Sequence, residues 1–252
     1  MYGTLKQVMR VIAYGAVGVV LTLLTVLVLH LNGRPDLSAW HTVHLDEEFT
    51  KDSRLESFRE YLDLEQRLFQ QLDDEVFAKT PSSAGNIINR FSKGSLSDPG
   101  RWPQNWNRSY ELEEASPKSP PRSVVLLLHG LSDSPYSLRH MARTLHEKGS
   151  HVLAIRLPGH GTAPSGLAWA TWQDMAAAVR LAIKHLHQQH PDIPLQLVGY
   201  SNGAALALNY ELATLTDASL PKVDKLVLIS PEIGVSRLAR FAKTQARLGR
   251  LL

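Results

Sequence analysis

The sequence contains no cysteine. Disulfides, cysteine nucleophiles and thiolate metal sites are therefore excluded. No acidic residue occurs among the first 31 positions, where Lys6 and Arg10 are the basic groups. No histidine follows His190, although the chain holds 11. Also missing is any basic patch interleaved with aromatics. The pI of about 9.1 thus gives no reason to expect a nucleic-acid partner. Charge is unevenly spread: residues 32–120 carry 11 basic and 16 acidic groups, residues 121–252 carry 14 and 8. With 44% hydrophobic and 20% charged residues, the 252-residue chain fits one globular domain with additional segments.

What is present begins with an uninterrupted apolar run, "VIAYGAVGVVLTLLTVLVLHL", Val11 to Leu31. Twenty-one helical residues match a hydrocarbon core of roughly 30 Å. A signal-peptide core is usually shorter, about 7–15 residues, and ends in a small-x-small site that is missing here. The expectation is an uncleaved, single-pass anchor. Lys6 and Arg10 precede it and only Arg34 closely follows. The positive-inside rule then places the N-terminus in the cytoplasm and the remainder across the membrane, facing the periplasm in a bacterium.

In the acidic middle, Leu55, Phe58, Leu62, Leu68, Phe69, Leu72 and Val76 recur mostly at steps of three and four. This predicts one long amphipathic helix over Ser53 to Lys79, broken at most once, whose apolar stripe packs in a core or serves as a stalk. From Ser123 onward apolar strands alternate with helical patterns. "SVVLLLHG", "HVLAIRL", "LQLV" and "KLVLIS" read as strands. Helices are expected from Ser134-Pro135 to Gly149, with Ser134 able to cap and Pro135 in the first turn, from Thr171 to about Gln189 and over 202–215. Thr171 with Asp174 has the form of a capping box. Such alternation predicts an α/β domain with a parallel sheet, whose ligands bind at the carboxyl ends of the strands.

Three motifs fall at those ends: His129-Gly130-Leu131, Pro158-Gly159-His160-Gly161 and Gly199-Tyr200-Ser201-Asn202-Gly203. Small residues around Ser201 permit a sharp strand-to-helix turn that lifts the hydroxyl, making Ser201 the candidate nucleophile. The helix after it aims N-terminal amides at the same point. The amides of Asn202 and Leu131 are the candidate oxyanion donors.

"VVLLLHGLSDSPYSLRHMARTLHEKGSHVLAIRLPGHGTAP" followed by "LVGYSNGAALAL" resembles the α/β-hydrolase family, in its monoacylglycerol lipase, carboxylesterase and serine aminopeptidase-like branch. The resemblance spans roughly 110–235. It implies a mostly parallel sheet with flanking helices, hydrolysis of carboxylic esters or related acyl bonds without a cofactor or metal, and a small acyl ester or lipid as substrate. It gives Ser201 the nucleophile role and Leu131 and Asn202 the oxyanion hole. His129 and His160 match residues that shape loops.

In this fold the acid and then the histidine follow the serine along the chain. Since no histidine follows Ser201, the expectation is a hydrolase fold incomplete at its C-terminus. Glu232 is a candidate acid, set against a role as a loop residue. His160 and His129 are candidate displaced bases, set against structural hydrogen bonding. The expected organisation is an anchor over 1–31, a helical and irregular region over 32–107 and a partial hydrolase domain over 108–252. Basic residues from Arg237 to Arg250, spaced by three or four, suggest a cap helix or a membrane-surface helix. The leading function is a membrane-anchored serine hydrolase. The alternatives are an inactive relative that binds a partner, or an acyltransferase on the same scaffold.

Overall fold

The computed structural model describes residues 2–34, 36–81, 87–113 and 120–234. The expected tail helix around Arg237–Arg250 lies outside them. Residues up to Ser38 form one compact unit and residues from Ala39 onward a second. The first unit is dominated by helix α1, Tyr2–Asn32. Its stretch Gly3–Asn32 is long and apolar enough to cross a membrane, and none of its most apolar window is buried.

The second unit begins with a short helix, α2, Ala39–Thr42, and then α3, Phe58–Leu72. The expected helix from Ser53 is therefore shorter at both ends. Ser57 stops it at the front, where its hydroxyl accepts from the Glu60 amide and Glu60 reaches back in a reciprocal capping box. At the other end a π-turn, Asp73–Phe77, takes over. Phe58, Tyr61, Glu65, Leu68, Phe69 and Leu72 are buried, one stripe at helical spacing. The stripe is core. Phe58 and Tyr61 join the apolar cluster beneath the sheet, while Leu68, Phe69 and Leu72 build a second one with Leu45, Val76, Phe77, Phe91 and Ala163.

Five strands follow: β1 Tyr110–Leu112, β2 Ser123–Leu128, β3 Ser150–Ile155, β4 Leu195–Tyr200 and β5 Lys225–Ile229. They form a sheet in the order β1-β3-β2-β4-β5. Only β1 runs antiparallel; the other pairings are parallel. Leu126 stands opposite both Leu153 and Leu197 at the centre of the sheet. Both faces are covered, so every residue of β2 and β3 is buried, as parallel strands require. Val124, Leu126 and Leu128 face one core, which holds α5 (Trp172–Gln189) and α6 (Asn202–Thr214). Val125 and Leu127 face the other, packed on α4 (Arg139–Glu147). Among the described residues β1 and β5 are the two edge strands, and the side chains of β5 are only half-buried or exposed.

Thr171 and Asp174 form the expected capping box. Ser134 does not cap. Its hydroxyl is bonded to Asn107 Oδ1 at 2.8 Å, and a 3-10 turn, Pro135–Leu138, precedes α4.

One polar knot ties the helical region to the sheet. Arg156, 1% exposed, directly follows β3. Its guanidinium grips Glu48 through two bonds of 2.8 and 3.1 Å and meets Glu65 at 3.2 Å. Glu65 also accepts from the amide and hydroxyl of Ser109. Tyr61 donates its hydroxyl to the Arg156 carbonyl. Removing one member of a buried ion network strands the other charges and costs about 3–5 kcal/mol. Arg156→Met, which leaves the buried Glu65 and the half-buried Glu48 without a cation, is expected to lose that much. Urea denaturation of the full chain in detergent, followed by tryptophan fluorescence, measures it.

Candidate active site

The chain leaves β2 at its carboxyl end, turns to one side through α4 into β3, then crosses through α5 to β4 on the other side. The strand order reverses around β2, and the crevice of an open α/β sheet lies where that happens. His129-Gly130 at the end of β2 and Ser201 at the end of β4 meet at that point.

Ser201 sits at φ 51°, ψ −114°, a backbone state that a side chain rarely adopts. Glycines make it possible. A Cβ on Gly203 would collide with the carbonyls of Leu128 and His129, and one on Gly199 would lie 2.5 Å from the Ala204 backbone. The first turn of α6 is thus pressed against the end of β2. The elbow is then pinned by its own backbone. The Ser201 amide donates to Ile229 O at 2.9 Å, at the end of β5. The Ser201 carbonyl accepts from the amides of Ala204, Ala205 and Glu232 at 3.0, 3.2 and 3.2 Å. Its hydroxyl makes no hydrogen bond among the described residues.

Asn202 is the first residue of α6, where amides have no intrahelical acceptor. Its side chain reaches Met175 Sδ at 3.5 Å. Gly130 approaches the elbow closely: a Cβ there would be 3.4 Å from the Ser201 Cβ and 3.0 Å from the Tyr200 ring. Leu131 follows with an exposed side chain, and Ser132 turns the loop at φ 56°. The structure thus gathers Ser201, Asn202, the Gly130-Leu131 loop and the Glu232 backbone. The Glu232 side chain points to solvent as an exposed group.

The two histidines lie beneath this layer. His129 is completely buried. Its Nδ1 contacts Gly130 O at 2.9 Å and its Nε2 accepts from the Leu157 amide at 3.0 Å. The second bond needs a lone pair on Nε2, so the proton resides on Nδ1. Both nitrogens are consumed by the backbone. Burial, with a smaller contribution from the neighbouring His160, pushes its pKa down to about 3. The His160 ring stands 5.0 Å from that of His129, edge to face. His160 Nδ1 contacts Pro158 O at 2.8 Å, while Nε2 is buried with no partner among the described residues. Neither ring bonds to Ser201.

The supporting groups Arg156, Glu48 and Glu65 are not discernible as such from the sequence. The single hint is an arginine ending an otherwise apolar strand. Arg156 donates to His160 O at 3.1 Å and so holds the Pro-Gly-His-Gly loop, in which Gly159 and Gly161 adopt positive φ.

His129 gives the acid limb of stability a definite sign. Its folded pKa, about 3, lies below the unfolded value of about 6.5. The contribution is therefore complete above about pH 6.5 and is lost as pH falls towards 3, at up to about 1.4 kcal/mol per pH unit. Denaturation midpoints between pH 7 and pH 4 should fall accordingly, and more shallowly in His129→Asn.

A model of the serine aminopeptidase (S33) hydrolase family matches residues 119–252, more than half of the chain. The chain is 34% identical over 84 residues to the thermostable monoacylglycerol lipase of Bacillus sp. (strain H-257), covering 33% of each chain. It is similar to a thermostable carboxyl esterase from Bacillus coagulans, at 27% identity and TM-score 0.39, with 48% of this chain and 38% of that one covered. For a soluble variant of the monoglyceride lipase from Saccharomyces cerevisiae the values are 18%, 0.45, 57% and 47%. The chain spans about a third of the length of the curated relative. The elbow, the mostly parallel sheet and the family match agree: this chain belongs to the serine aminopeptidase (S33) family of α/β-hydrolases.

Proposed function

We propose that the chain is a membrane-anchored serine hydrolase that cleaves carboxylic esters or related acyl bonds through an acyl-enzyme on Ser201. The observation that carries this reading is the strained elbow. It holds an unbonded hydroxyl at the head of α6 and beside the Gly130-Leu131 loop. An acyl carbonyl attacked by the Ser201 Oγ becomes a tetrahedral oxyanion. The amides of Asn202 and Leu131 are assigned to receive that charge, with the N-terminus of α6 adding a favourable field. The intermediate collapses by expelling the alcohol, which departs with the proton given up by Ser201, and the acyl group stays on Oγ as an ester. Water then attacks that ester, the free acid departs and Oγ regains its proton. An acylglycerol-type lipid ester is the proposed substrate class, in keeping with the monoacylglycerol lipase relative.

Proton transfer is assigned less directly. His129 has no nitrogen to spare, so it is given the role of holding the loop. Among the candidate bases, His160 keeps an unpartnered Nε2, and burial depresses its pKa, so it is neutral near pH 7. Glu232 is assigned the acid position because its amide is bonded to the Ser201 carbonyl. A second reading, ligand binding without turnover, is favoured by the lack of a histidine–Ser201 bond among the described residues. Without a general base the oxyanion donors and binding alone sustain roughly 10³–10⁴-fold over water.

The discriminating measurement is fluorophosphonate labelling together with hydrolysis of a short-chain nitrophenyl ester. Labelling and turnover that both vanish in Ser201→Ala support the enzyme. Labelling retained in that variant identifies another serine. Binding of a lipid ester with neither labelling nor turnover supports the second reading.

Membrane attachment through α1, with the N-terminus cytoplasmic and the catalytic unit on the opposite side, is part of the same proposal. Its support is the length and apolar character of Gly3–Asn32 and the placement of Lys6 and Arg10. After alkaline carbonate washing the protein is expected in the membrane pellet. Release into the supernatant would remove the anchor.

A further inference from the structure

At the rim of the sheet opposite Ser201, β1 and the start of β3 bring titratable groups together. Glu111 pairs with Leu153 in the antiparallel register. Glu113, two residues on, therefore lies on the same face as Glu111, level with His151. From α5, which packs against this face, come His185 and, at its C-terminal cap, His190. His151 Nε2 is 2.7 Å from Glu111 Oε1, and His185 Nε2 is 3.3 Å from the same oxygen. His151 Nδ1 is 2.7 Å from His190 Nε2. The ligand-capable atoms of Glu111, Glu113 and His151 all lie within 4.8 Å of one another. His151 is 4% exposed, while Glu113 is exposed.

We propose that Glu111, Glu113, His151 and His185 form a binding site for a zinc-class divalent ion, separate from the acyl chemistry. Two imidazoles and two carboxylates are a suitable donor set for zinc and a poor one for calcium or magnesium, which prefer oxygen ligands alone. Four atoms about 2.0–2.1 Å from a tetrahedral ion stand about 3.3 Å from each other. The His185–Glu111 separation already has that value, and the His151–Glu111 pair, at 2.7 Å, needs to open by about 0.6 Å. The two carboxylates cancel the charge of the ion. His190 completes the arrangement: with Nε2 of His151 on the metal, Nδ1–H donates to His190 Nε2, which fixes ring and tautomer. An ion enters from the side of Glu113. Once bound, it fastens the three-residue edge strand β1 to β3 and α5.

The test uses the full chain in detergent, stripped with a chelator and titrated with zinc chloride at neutral pH by calorimetry and thermal unfolding. One equivalent is expected to bind and to raise the unfolding temperature, since a ligand that binds only the folded state stabilises it. Glu113→Gln leaves the His190–His151–Glu111–His185 chain intact and is expected to unfold like the parent without metal. Its affinity for zinc should fall by about tenfold or more, and His185→Gln should do the same. Absence of zinc binding, unchanged affinity in both variants, or equally tight binding of magnesium would each overturn the site. These readouts are independent of Ser201, so failure here leaves the hydrolase reading intact, and failure of that reading leaves this one intact.

Discussion

Burial of the Arg156 guanidinium is the constraint on which the rest of the sheet-bearing unit depends. A cation with 1% exposure is tolerable only where its donors are satisfied and its charge is answered. Nε meets Glu65, Nη2 meets Glu48, and Nη1 is shared by Glu48, Leu157 O and His160 O. Two of those partners come from the region before the sheet and two from the loop after β3. The region around α3 is thus part of the polar core of the sheet-bearing unit. The same loop donates the Leu157 amide to His129, and His129 in turn contacts Gly130 O. A continuous set of bonds runs from Glu48 and Glu65 to the backbone beside Ser201.

That chain accounts for the different bonding of the two histidines at the carboxyl ends of β2 and β3. A general base needs an accessible lone pair and a pKa near the working pH. His129 has neither: its lone pair is taken by the Leu157 amide and its pKa is driven far down by burial. It behaves as a neutral connector between two loops. His160 differs in one atom. Its Nε2 is buried and unpartnered among the described residues, a costly state for a polar group.

The legible part of the sequence was whatever is encoded locally. Thr171 and Asp174 three apart announced the start of α5, and alternating apolar runs announced β2 to β5, because caps and strands depend on near neighbours. Gly-Tyr-Ser-Asn-Gly declared its turn because only small residues fit against the end of β2. Features set by distant partners were not legible. Ser134 looked like a cap, yet its hydroxyl is bonded to Asn107, 27 residues away. Glu65 is one of 16 acids over residues 32–120, and only the fold reveals that Arg156 bonds to it. The pairing of Glu111 with His151, and of both with residues of α5, likewise depends on an antiparallel register that no local pattern specifies.

The geometry at Ser201 separates scaffold from reagent. A residue at φ 51° carries a strain of roughly 1–3 kcal/mol, which persists only if its surroundings over-determine it. Here they do, and they act entirely through the main chain. The amide of Ser201 is bonded to β5, its carbonyl receives three amides, and Gly199 and Gly203 let the helix close onto β2. None of these interactions uses the hydroxyl, and none uses the Asn202 amide. The turn would keep its shape with any side chain small enough to stand there. The side-chain oxygen and the first amide of α6 are therefore surplus to the architecture. A polar group that a fold constrains so tightly, yet does not itself use, is the physical ground on which the proposed acyl chemistry at Ser201 rests.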